Sequence, residues 1–332
     1  MKRILSVFLS ICCLVSCGLL SACNGNRNKS KLSVVCTIFP LYDWTCNILG
    51  DKKEGCDISL LAESGVDMHS YQPSAADLVS ISQCDLFIYV GGESDKWVEK
   101  ALQNPVNRSR KVLNLIEALG DAAKDEKTPE GADENHDHDH EDNEEHEKDE
   151  HIWLSLKNAE ICLQKITAEL CSIDTVNKTV YEKNSEEYSQ KLNELDVSFK
   201  NAVSEAEFKI LVFCDRFPFR YLADDYGIDY YAAFSGCSAE TEASFETIVF
   251  LANKIDELNL KTICIIESGD GRIAETVKNT TAGKNQEIVK FDSMQSINRN
   301  DISGGVTYCS VMEKNLNSLR KALGATAKEK VV

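Results

Sequence analysis

The run VVCTIF at residues 34–39 is apolar, rich in β-branched side chains and ended by Pro40. These features predict a buried strand, because β-branched side chains fit a pleated sheet and proline cannot extend its hydrogen-bond ladder. A helix is predicted from there to about residue 50, followed by strands at 57–61 and at 85–90, where the sequence is DLFIYV. Strands that alternate with helices at this spacing are typical of a parallel α/β sheet.

The same alternation returns in the second half of the chain. Apolar, β-branched runs predict further strands at 209–213, 229–234, 262–266 and 287–291. Between the halves, apolar side chains recur at helical spacing from 176 to 203, which predicts one amphipathic helix about 40 Å long. We therefore predict an α/β fold of two similar lobes, each a mainly parallel sheet flanked by helices, joined by one long rigid helix.

The N-terminus has the features of an export signal. Lys2 and Arg3 precede an apolar stretch, and small residues then lead to Cys23. LSAC at residues 20–23 resembles a bacterial lipobox, in which the cysteine takes lipid, although Cys17 fits the same pattern. The alternative, a single transmembrane anchor, needs about 20 apolar residues, and this stretch is slightly shorter. We expect an extracytoplasmic protein that is lipid-anchored to the cell membrane through Cys23.

These signals divide the chain into five parts. They are a lipoprotein signal peptide (1–22), a tether (23–32), an N-terminal α/β lobe (33–173), a linking helix (174–205) and a C-terminal α/β lobe (206–332). The N-terminal lobe includes an acidic, histidine-rich loop at 121–150. About 310 residues remain after the signal, which suits two domains of ordinary size.

Histidines and acids are concentrated in that loop. Five of the six histidines lie within 136–151, and residues 133–151 hold eleven acids against one lysine. Imidazole and carboxylate groups bind borderline divalent cations such as Zn²⁺, so we interpret the loop as an auxiliary metal-collecting segment. Its histidines are His136, His138, His140 and His146. The alternative is a solvated acidic linker. We expect the loop to lie outside the binding cleft, so that deletion of 133–150 leaves a tight site intact.

Charge and cysteine spacing argue against other classes of protein. The formal net charge of −18 argues against a nucleic-acid partner. The 14 cysteines include no CxxC pair, which argues against a zinc ribbon or a thioredoxin-type site. An exported protein can form disulfides, and the spacing of the cysteines leaves their pairing open.

Several motifs resemble those of one transport family. GVDMHSYQP at residues 65–73 resembles the Gly-x-Asp-x-His-x-x-x-Pro stretch of the metal-binding lipoproteins of zinc and manganese ABC importers, the cluster A-I solute-binding proteins. HIWL at residues 151–154, with an Asn-Ala pair shortly after it, resembles the second ligand motif of that family. Asp292 after a predicted strand and GGVTY at 304–308 resemble its C-terminal part. A histidine-rich loop just before the second motif is typical of the zinc-selective type.

The resemblance implies a metal site between the lobes. It implies His69 and His151 as ligands from the first lobe and Asp292 as the carboxylate from the second. The remaining ligand of the family, a histidine or glutamate, corresponds here to Arg216, whose guanidinium has no lone pair to offer a cation. We take Asp215 as the replacement ligand. The alternatives are Cys214, a bound water, Glu240 and Glu267. Arg216 could then pair with an acid and hold the lobes together.

The function that the resemblance implies is metal transport. Such a protein captures Zn²⁺ in an interlobe cleft and delivers it to the membrane permease of an ABC importer, which works with an ATPase. We expect a monomer that is not an enzyme. The alternatives are a manganese-binding homologue, a zinc-dependent hydrolase, and a surface metal buffer or adhesin. Two histidines and a carboxylate also describe catalytic zinc sites, but the chain has no His-Glu-x-x-His motif.

Overall fold

The computed structural model of the chain describes residues 31–132, 147–238 and 242–325. The chain divides into two compact units, Met1–Leu32 and Ser33–Val332, and both predicted lobes belong to the second. The predicted site residues outside the described ranges are Cys23, His136, His138, His140, His146 and Glu240. No helix within the described ranges is long and apolar enough to cross a membrane.

The first lobe is built on a four-stranded sheet. Its strands are β1 (Leu32–Cys36), β2 (Cys56–Leu60), β3 (Leu86–Tyr89) and β4 (Lys111–Asn114). They lie in the order β2-β1-β3-β4, and β1 and β4 both pair in parallel with β3. The strand β4 is not among those predicted from the sequence, because it is a short edge strand whose first two residues are exposed. The helices of this lobe are α1 (Phe39–Leu49), α2 (Ala75–Gln83), α3 (Trp97–Leu102), α4 (Leu115–Leu119) and α5 (Leu156–Ile173).

One long helix follows the first lobe, as predicted. This helix, α6 (Lys178–Ser204), has 27 residues and packs against α1 and α5. The apolar stripe read from the sequence is its buried face, which includes Tyr181, Tyr188, Leu192, Leu195 and Phe199. A helix with one buried stripe is stabilised mainly by packing, since intrinsic helix propensity alone is weak in water.

The second lobe repeats the design of the first. Its strands are β5 (Ile210–Phe217), β6 (Asp229–Ser235), β7 (Thr262–Ile266) and β8 (Glu287–Phe291), in the order β6-β5-β7-β8 with parallel neighbours. Its helices are α7 (Arg220–Tyr226), α8 (Phe245–Glu257), α9 (Arg272–Thr280), α10 (Arg299–Ser303) and α11 (Tyr308–Ala322). Both sheets therefore share one strand order, which confirms two similar lobes. The strand β5 extends beyond the predicted end at 213 and includes Asp215 and Arg216.

A buried carboxylate connects both lobes to the linking helix. Asp43 of α1 accepts a hydrogen bond from the Tyr188 hydroxyl of α6 at 3.0 Å and from the Tyr308 backbone N–H of α11 at 3.2 Å. Burial raises the pKa of Asp43, and both hydrogen bonds oppose that rise. Because α11 also packs against α6, helices of both lobes rest on one rigid support.

Aromatic side chains fill the core of the second lobe below the end of β5. The ring centroid of Phe213 lies 5.0 Å from that of Phe217, 5.4 Å from that of Phe219 and 5.3 Å from that of Phe291. All four rings are buried, and burying one such side chain contributes about 1.5–3 kcal/mol. This packing fixes the carboxyl end of β5 relative to the rest of its sheet.

Most described cysteines are small core side chains. Those with free thiols in the structure include Cys36, Cys46, Cys84, Cys162, Cys171, Cys214, Cys237, Cys264 and Cys309. Six of these are buried, where cysteine behaves as a small apolar residue. Cys46, Cys237 and Cys309 are only half-buried, so their thiols are the more accessible ones of this set.

Candidate metal centre

His69 lies in a short turn that its neighbours hold in place. The turn Met68–Ser70 follows β2, and the Asp67 side chain caps it by accepting a hydrogen bond from the His69 backbone N–H at 3.1 Å. The Ser94 hydroxyl lies 2.6 Å from Nδ1 of His69. With Nδ1–H donated to that hydroxyl, the lone pair of Nε2 remains available to a metal ion.

His151 is fully buried and is held by an acid. The Asp149 carboxylate accepts hydrogen bonds from the backbone N–H and from Nδ1–H of His151, each at 2.9 Å. Gly236 of the second lobe packs so closely on the imidazole that a Cβ there would lie 2.9 Å from its Cε1. A carboxylate behind a metal-binding histidine fixes the ring orientation and raises the basicity of the ligand nitrogen.

The two imidazoles face each other through their Nε2 atoms. These atoms lie 3.3 Å apart, although the residues are 82 positions apart in the sequence. A tetrahedral Zn²⁺ with Zn–N bonds of about 2.0–2.1 Å separates two ligand nitrogens by about 3.3–3.4 Å. The pair therefore has the spacing that a tetrahedral zinc ion requires.

Cys237 of the second lobe joins this pair. The potential ligand atoms of His69, His151 and Cys237 all lie within 4.8 Å of one another, and the described residues contain no other such group of three His, Cys, Asp or Glu. Cys237 is not among the ligands predicted from the sequence. A signal was present, because the residue follows a predicted strand at the carboxyl edge of a parallel sheet, where ligand sites gather.

Carboxylates surround the group. Glu150 is buried beside it, with Oε1 accepting from the Ser94 backbone N–H at 2.6 Å and Oε2 lying 3.6 Å from His69 Nδ1. Burial raises the pKa of Glu150 to about 7, against the opposing effect of its hydrogen bonds to Ser94. Burial also raises the pKa of Cys237, and the negative charges of nearby acids, Glu126 first, raise it further. A divalent cation would relieve this crowding of acidic groups.

The two histidines have opposite pKa shifts. Burial and then the neighbouring His151 lower the pKa of His69 to about 4. Burial also acts to lower the pKa of His151, but the hydrogen bond and charge of Asp149 outweigh it and raise that pKa. The Gln295 amide is oriented so that its nitrogen donates to the Asp67 carboxylate. Its oxygen then accepts a hydrogen bond from His151 Nε2 at 2.8 Å. His151 is thus the ligand from which an incoming cation must displace a proton.

Arg216 forms an ion pair between the lobes. Its Nη2 donates to Asp67 Oδ2 at 2.8 Å, directly beside the turn that carries His69. This confirms the alternative interpretation, in which Arg216 pairs with an acid rather than binding a metal. Because both side chains are partly exposed, such a pair contributes little to stability.

Asp215, predicted as a ligand, lies outside the group of His69, His151 and Cys237. Its carboxylate accepts hydrogen bonds from the backbone N–H groups of Arg216 at 2.9 Å and of Ile266 at 3.3 Å. The bond to Ile266 joins β5 to β7, so Asp215 is used within its own sheet. The alternative ligand Cys214 is packed in the hydrophobic core of the second lobe.

Asp292 also lies outside that group, at the start of the segment after β8 that carries Gln295. Its Oδ1 accepts from the Met294 backbone N–H at 2.8 Å, and burial followed by the charge of Glu267 raises its pKa to about 6. Glu267 accepts hydrogen bonds from the backbone N–H and the hydroxyl of Ser293, each at 2.8 Å. Glu267 therefore organises this segment. Among the predicted ligands within the described residues, the structure brings together only the two histidines, His69 and His151.

The segment 147–150 belongs to the site rather than to the loop. Asp149 and Glu150 contact the two histidines as described above, and the Asp149 backbone N–H also donates to the Lys124 carbonyl at 2.9 Å. The predicted deletion of 133–150 would therefore also remove residues that contact the histidines, which a deletion ending at 146 would keep. The longer deletion would take away the carboxylate that orients His151.

Comparison with known proteins points to one family. The family model described as zinc-uptake complex component A, periplasmic (ZnuA), matches residues 34–322. The high-affinity zinc uptake system protein ZnuA of Bacillus subtilis (strain 168) is 31% identical over 314 residues, which cover 92% of this chain and 94% of that protein.

Solved structures resemble the chain over the same region. The metal-dependent lipoprotein YcdH from Bacillus subtilis has a TM-score of 0.71 and 28% identity, covering 88% of this chain and 99% of that one. The Zn(II)-bound ZnuA-like domain of Streptococcus pneumoniae AdcA has a TM-score of 0.68 and 28% identity, with coverage of 88% and 99%. The two-lobe architecture is therefore shared with both of these structures.

Proposed function

The chain belongs to the ZnuA family of zinc-uptake components, and on that premise we propose that it captures Zn²⁺ between its lobes and delivers it to the permease of an ABC importer. It acts as the solute-binding component, and zinc is its cargo rather than a resident cofactor. A relative named for high-affinity zinc uptake and a zinc-bound structure of a similar domain support this choice of metal.

The observation that carries the proposal is the facing pair of imidazoles. Both Nδ1 atoms are occupied, by Ser94 and by Asp149, and the two Nε2 atoms are 3.3 Å apart. In the metal-free chain His151 Nε2 carries a proton, and a cation that replaces this proton can bind both nitrogens. The arrangement is therefore suited to a cation that accepts both nitrogens.

We keep three of the predicted residues as zinc ligands. His69 and His151 supply nitrogens from the first lobe, and Asp292 supplies a carboxylate from the second lobe when the cleft closes. Asp215 is left out, because its carboxylate already accepts two backbone hydrogen bonds within its own sheet. Histidine and carboxylate ligands suit Zn²⁺, with Mn²⁺ lower in the order of affinities for such a site.

Titration calorimetry on the purified, metal-stripped chain tests the proposal. We expect one tightly bound Zn²⁺ ion and much weaker binding of Mn²⁺. Tight Mn²⁺ binding would assign the chain to manganese uptake instead. Several weak zinc ions without a tight one would favour a surface metal buffer and contradict the proposal.

We also propose that the site binds zinc without catalysing a reaction. The family is described as a component of a zinc-uptake complex, and the sequence has no His-Glu-x-x-His motif of the kind that zinc hydrolases use. The zinc-loaded chain should hydrolyse a generic ester no faster than free Zn²⁺ does. Turnover that is lost when His151 is replaced with alanine would overturn this part of the proposal.

Membrane attachment and the transport partners complete the proposal. We propose that Cys23 carries the lipid anchor on the outer side of the cell membrane and that the monomer docks on a permease with its ATPase. The family description of an uptake-complex component supports such partners. Mass spectrometry of the mature N-terminus should find lipid on Cys23, and a Cys23→Ala chain should be released into the medium.

Removal of residues 133–146 should leave the tight zinc site intact, with its affinity changed less than about threefold. The reason is that Asp149 and Glu150, which support the histidines, are retained. Calorimetry should show the loss of weak zinc ions only. A longer deletion through residue 150 is the matched control, and it should weaken tight binding severely. Equal affinity of the two deletions would show that these carboxylates do not support the site.

Replacing Asp149 with asparagine should weaken zinc binding about 10–100-fold, the range seen when the acid behind a metal-binding histidine is removed. The Asp149 carboxylate is the acceptor for His151 Nδ1–H and contributes to the basicity of the ring. Competition with a calibrated zinc chelator would measure the change. The matched control is Asp125→Asn, whose carboxylate lies on the exposed surface and pairs with Lys148. A similar loss in both variants would indicate general electrostatics instead of ligand orientation.

A further inference from the structure

The second lobe lacks one ligand that the family site requires. Arg216 takes that position and its guanidinium pairs with Asp67, so it cannot bind a cation. Asp215 beside it is used within its own sheet. If zinc is captured between the lobes, as proposed above, the second lobe must supply a different donor close to the two histidines.

We propose that Cys237 is this donor, and that its thiolate binds Zn²⁺ together with His69 and His151. The inference rests on the proposed function and names the ligand set of that same site. Cys237 comes from the second lobe, whereas both histidines come from the first. A metal ion bound by all three therefore joins the two lobes.

The geometry requires only a small movement. The ligand atoms of the three residues already lie within 4.8 Å of one another. A tetrahedral zinc ion with Zn–N of about 2.05 Å and Zn–S of about 2.3 Å separates nitrogen from sulfur by about 3.6 Å. A closure of about 1 Å between the lobes would therefore complete the site.

The backbone around Cys237 is placed for this role. Cys237 is the second residue after β6, and Gly236 between them lies against the His151 imidazole, where a Cβ would come within 2.9 Å of Cε1. Any larger residue at 236 would push the second lobe away from His151. The close approach of this backbone thus brings the sulfur to the nitrogen pair.

The surrounding negative charges favour a bound cation, although they oppose a free thiolate. On binding, the Cys237 thiol releases its proton and forms a Zn–S bond, with no oxidation step. Glu126, Asp149 and Glu150 all act on the Cys237 thiol through their negative charge. A sulfur donor also shifts selectivity, because thiolate ligands favour Zn²⁺ whereas Mn²⁺ prefers oxygen donors.

Zinc titration of the full chain and of its Cys237→Ser variant tests the inference. We expect binding to weaken by at least about 100-fold, since even a residue that only supports a ligand contributes about 10–100-fold. The gap between zinc and manganese affinity should narrow in the same variant. Cys46→Ser is the matched control, because Cys46 is also half-buried and lies outside the group of possible ligands.

A spectroscopic measurement reports the bond itself. Co²⁺ occupies tetrahedral zinc sites, and a cobalt–thiolate bond gives a charge-transfer band in the near ultraviolet that nitrogen and oxygen ligands do not give. The full chain and Cys46→Ser should show this band, and Cys237→Ser should lack it. In the unaltered chain, Zn²⁺ should protect Cys237 but not Cys46 from alkylation by iodoacetamide, as located by mass spectrometry. That readout does not depend on the folding of any variant.

The outcomes separate this inference from the proposed function. Tight zinc binding by the full chain that persists in Cys237→Ser, with no thiolate band, overturns the role of Cys237 and leaves zinc capture standing. Absence of tight zinc binding in the unaltered chain overturns the proposed function and the inference together. Tight binding that depends on Cys237 and shows the band establishes both.

Discussion

Replacing His69 with alanine should weaken tight zinc binding by at least about 100-fold, because it removes a ligand and not merely a residue that supports one. Nε2 of His69 lies 3.3 Å from Nε2 of His151, and burial lowers the pKa of His69 to about 4, so its imidazole is neutral near pH 7. It therefore offers a lone pair without competition from protons. Titration calorimetry with Zn²⁺ on the metal-stripped chain would measure the loss.

The matched control is His146→Ala, which removes a histidine of the acidic loop outside the described residues. That variant should keep the tight site. The fold should tolerate His69→Ala, because the Asp67 side chain caps this turn through the backbone N–H of residue 69. That hydrogen bond does not need the imidazole. Thermal unfolding of the metal-free forms checks this. Unchanged zinc affinity in a folded His69→Ala chain would remove His69 from the site.

Replacing Trp153 with alanine should lower the free energy of unfolding by about 3–5 kcal/mol, the usual cost of removing a large aromatic side chain from a core. Trp153 is fully buried, and its indole N–H donates to the Ser293 carbonyl of the second lobe at 2.9 Å. Its own carbonyl accepts from the Tyr308 hydroxyl at 2.6 Å. The substitution thus leaves a cavity and an unpaired Ser293 carbonyl at the junction of the lobes.

Urea unfolding of the metal-free chain, followed by circular dichroism, would measure this loss as a shift of the midpoint. Phe245→Ala is the matched control, because Phe245 is 75% exposed and its loss should change stability by less than about 0.5 kcal/mol. Zinc binding should also weaken in Trp153→Ala, since the indole ring lies against His151 with a centroid distance of 5.4 Å. Equal midpoints for the two variants would show that the lobe junction does not depend on Trp153.

Much of the fold was predictable from local sequence patterns. Buried parallel strands are continuous apolar runs, and the stripe on α6 recurs at helical spacing, so each signal lies within about ten to thirty neighbouring residues. The strand predictions failed where residues are exposed or polar, because such residues leave no long apolar run in the sequence. The edge strand β4 has only two apolar residues, Val112 and Leu113, and β5 continues through the polar residues Asp215 and Arg216.

The sequence by itself determined the two lobes, the linking helix and the family motifs that contain His69 and His151. Only the tertiary structure decided that Arg216 pairs with Asp67, that Asp149 and Glu150 support the histidines, and that Cys237 joins them. The physical reason is distance. Helix and strand patterns arise between neighbouring residues, whereas these contacts depend on how the two sheets meet, to within about 1 Å, across a cleft.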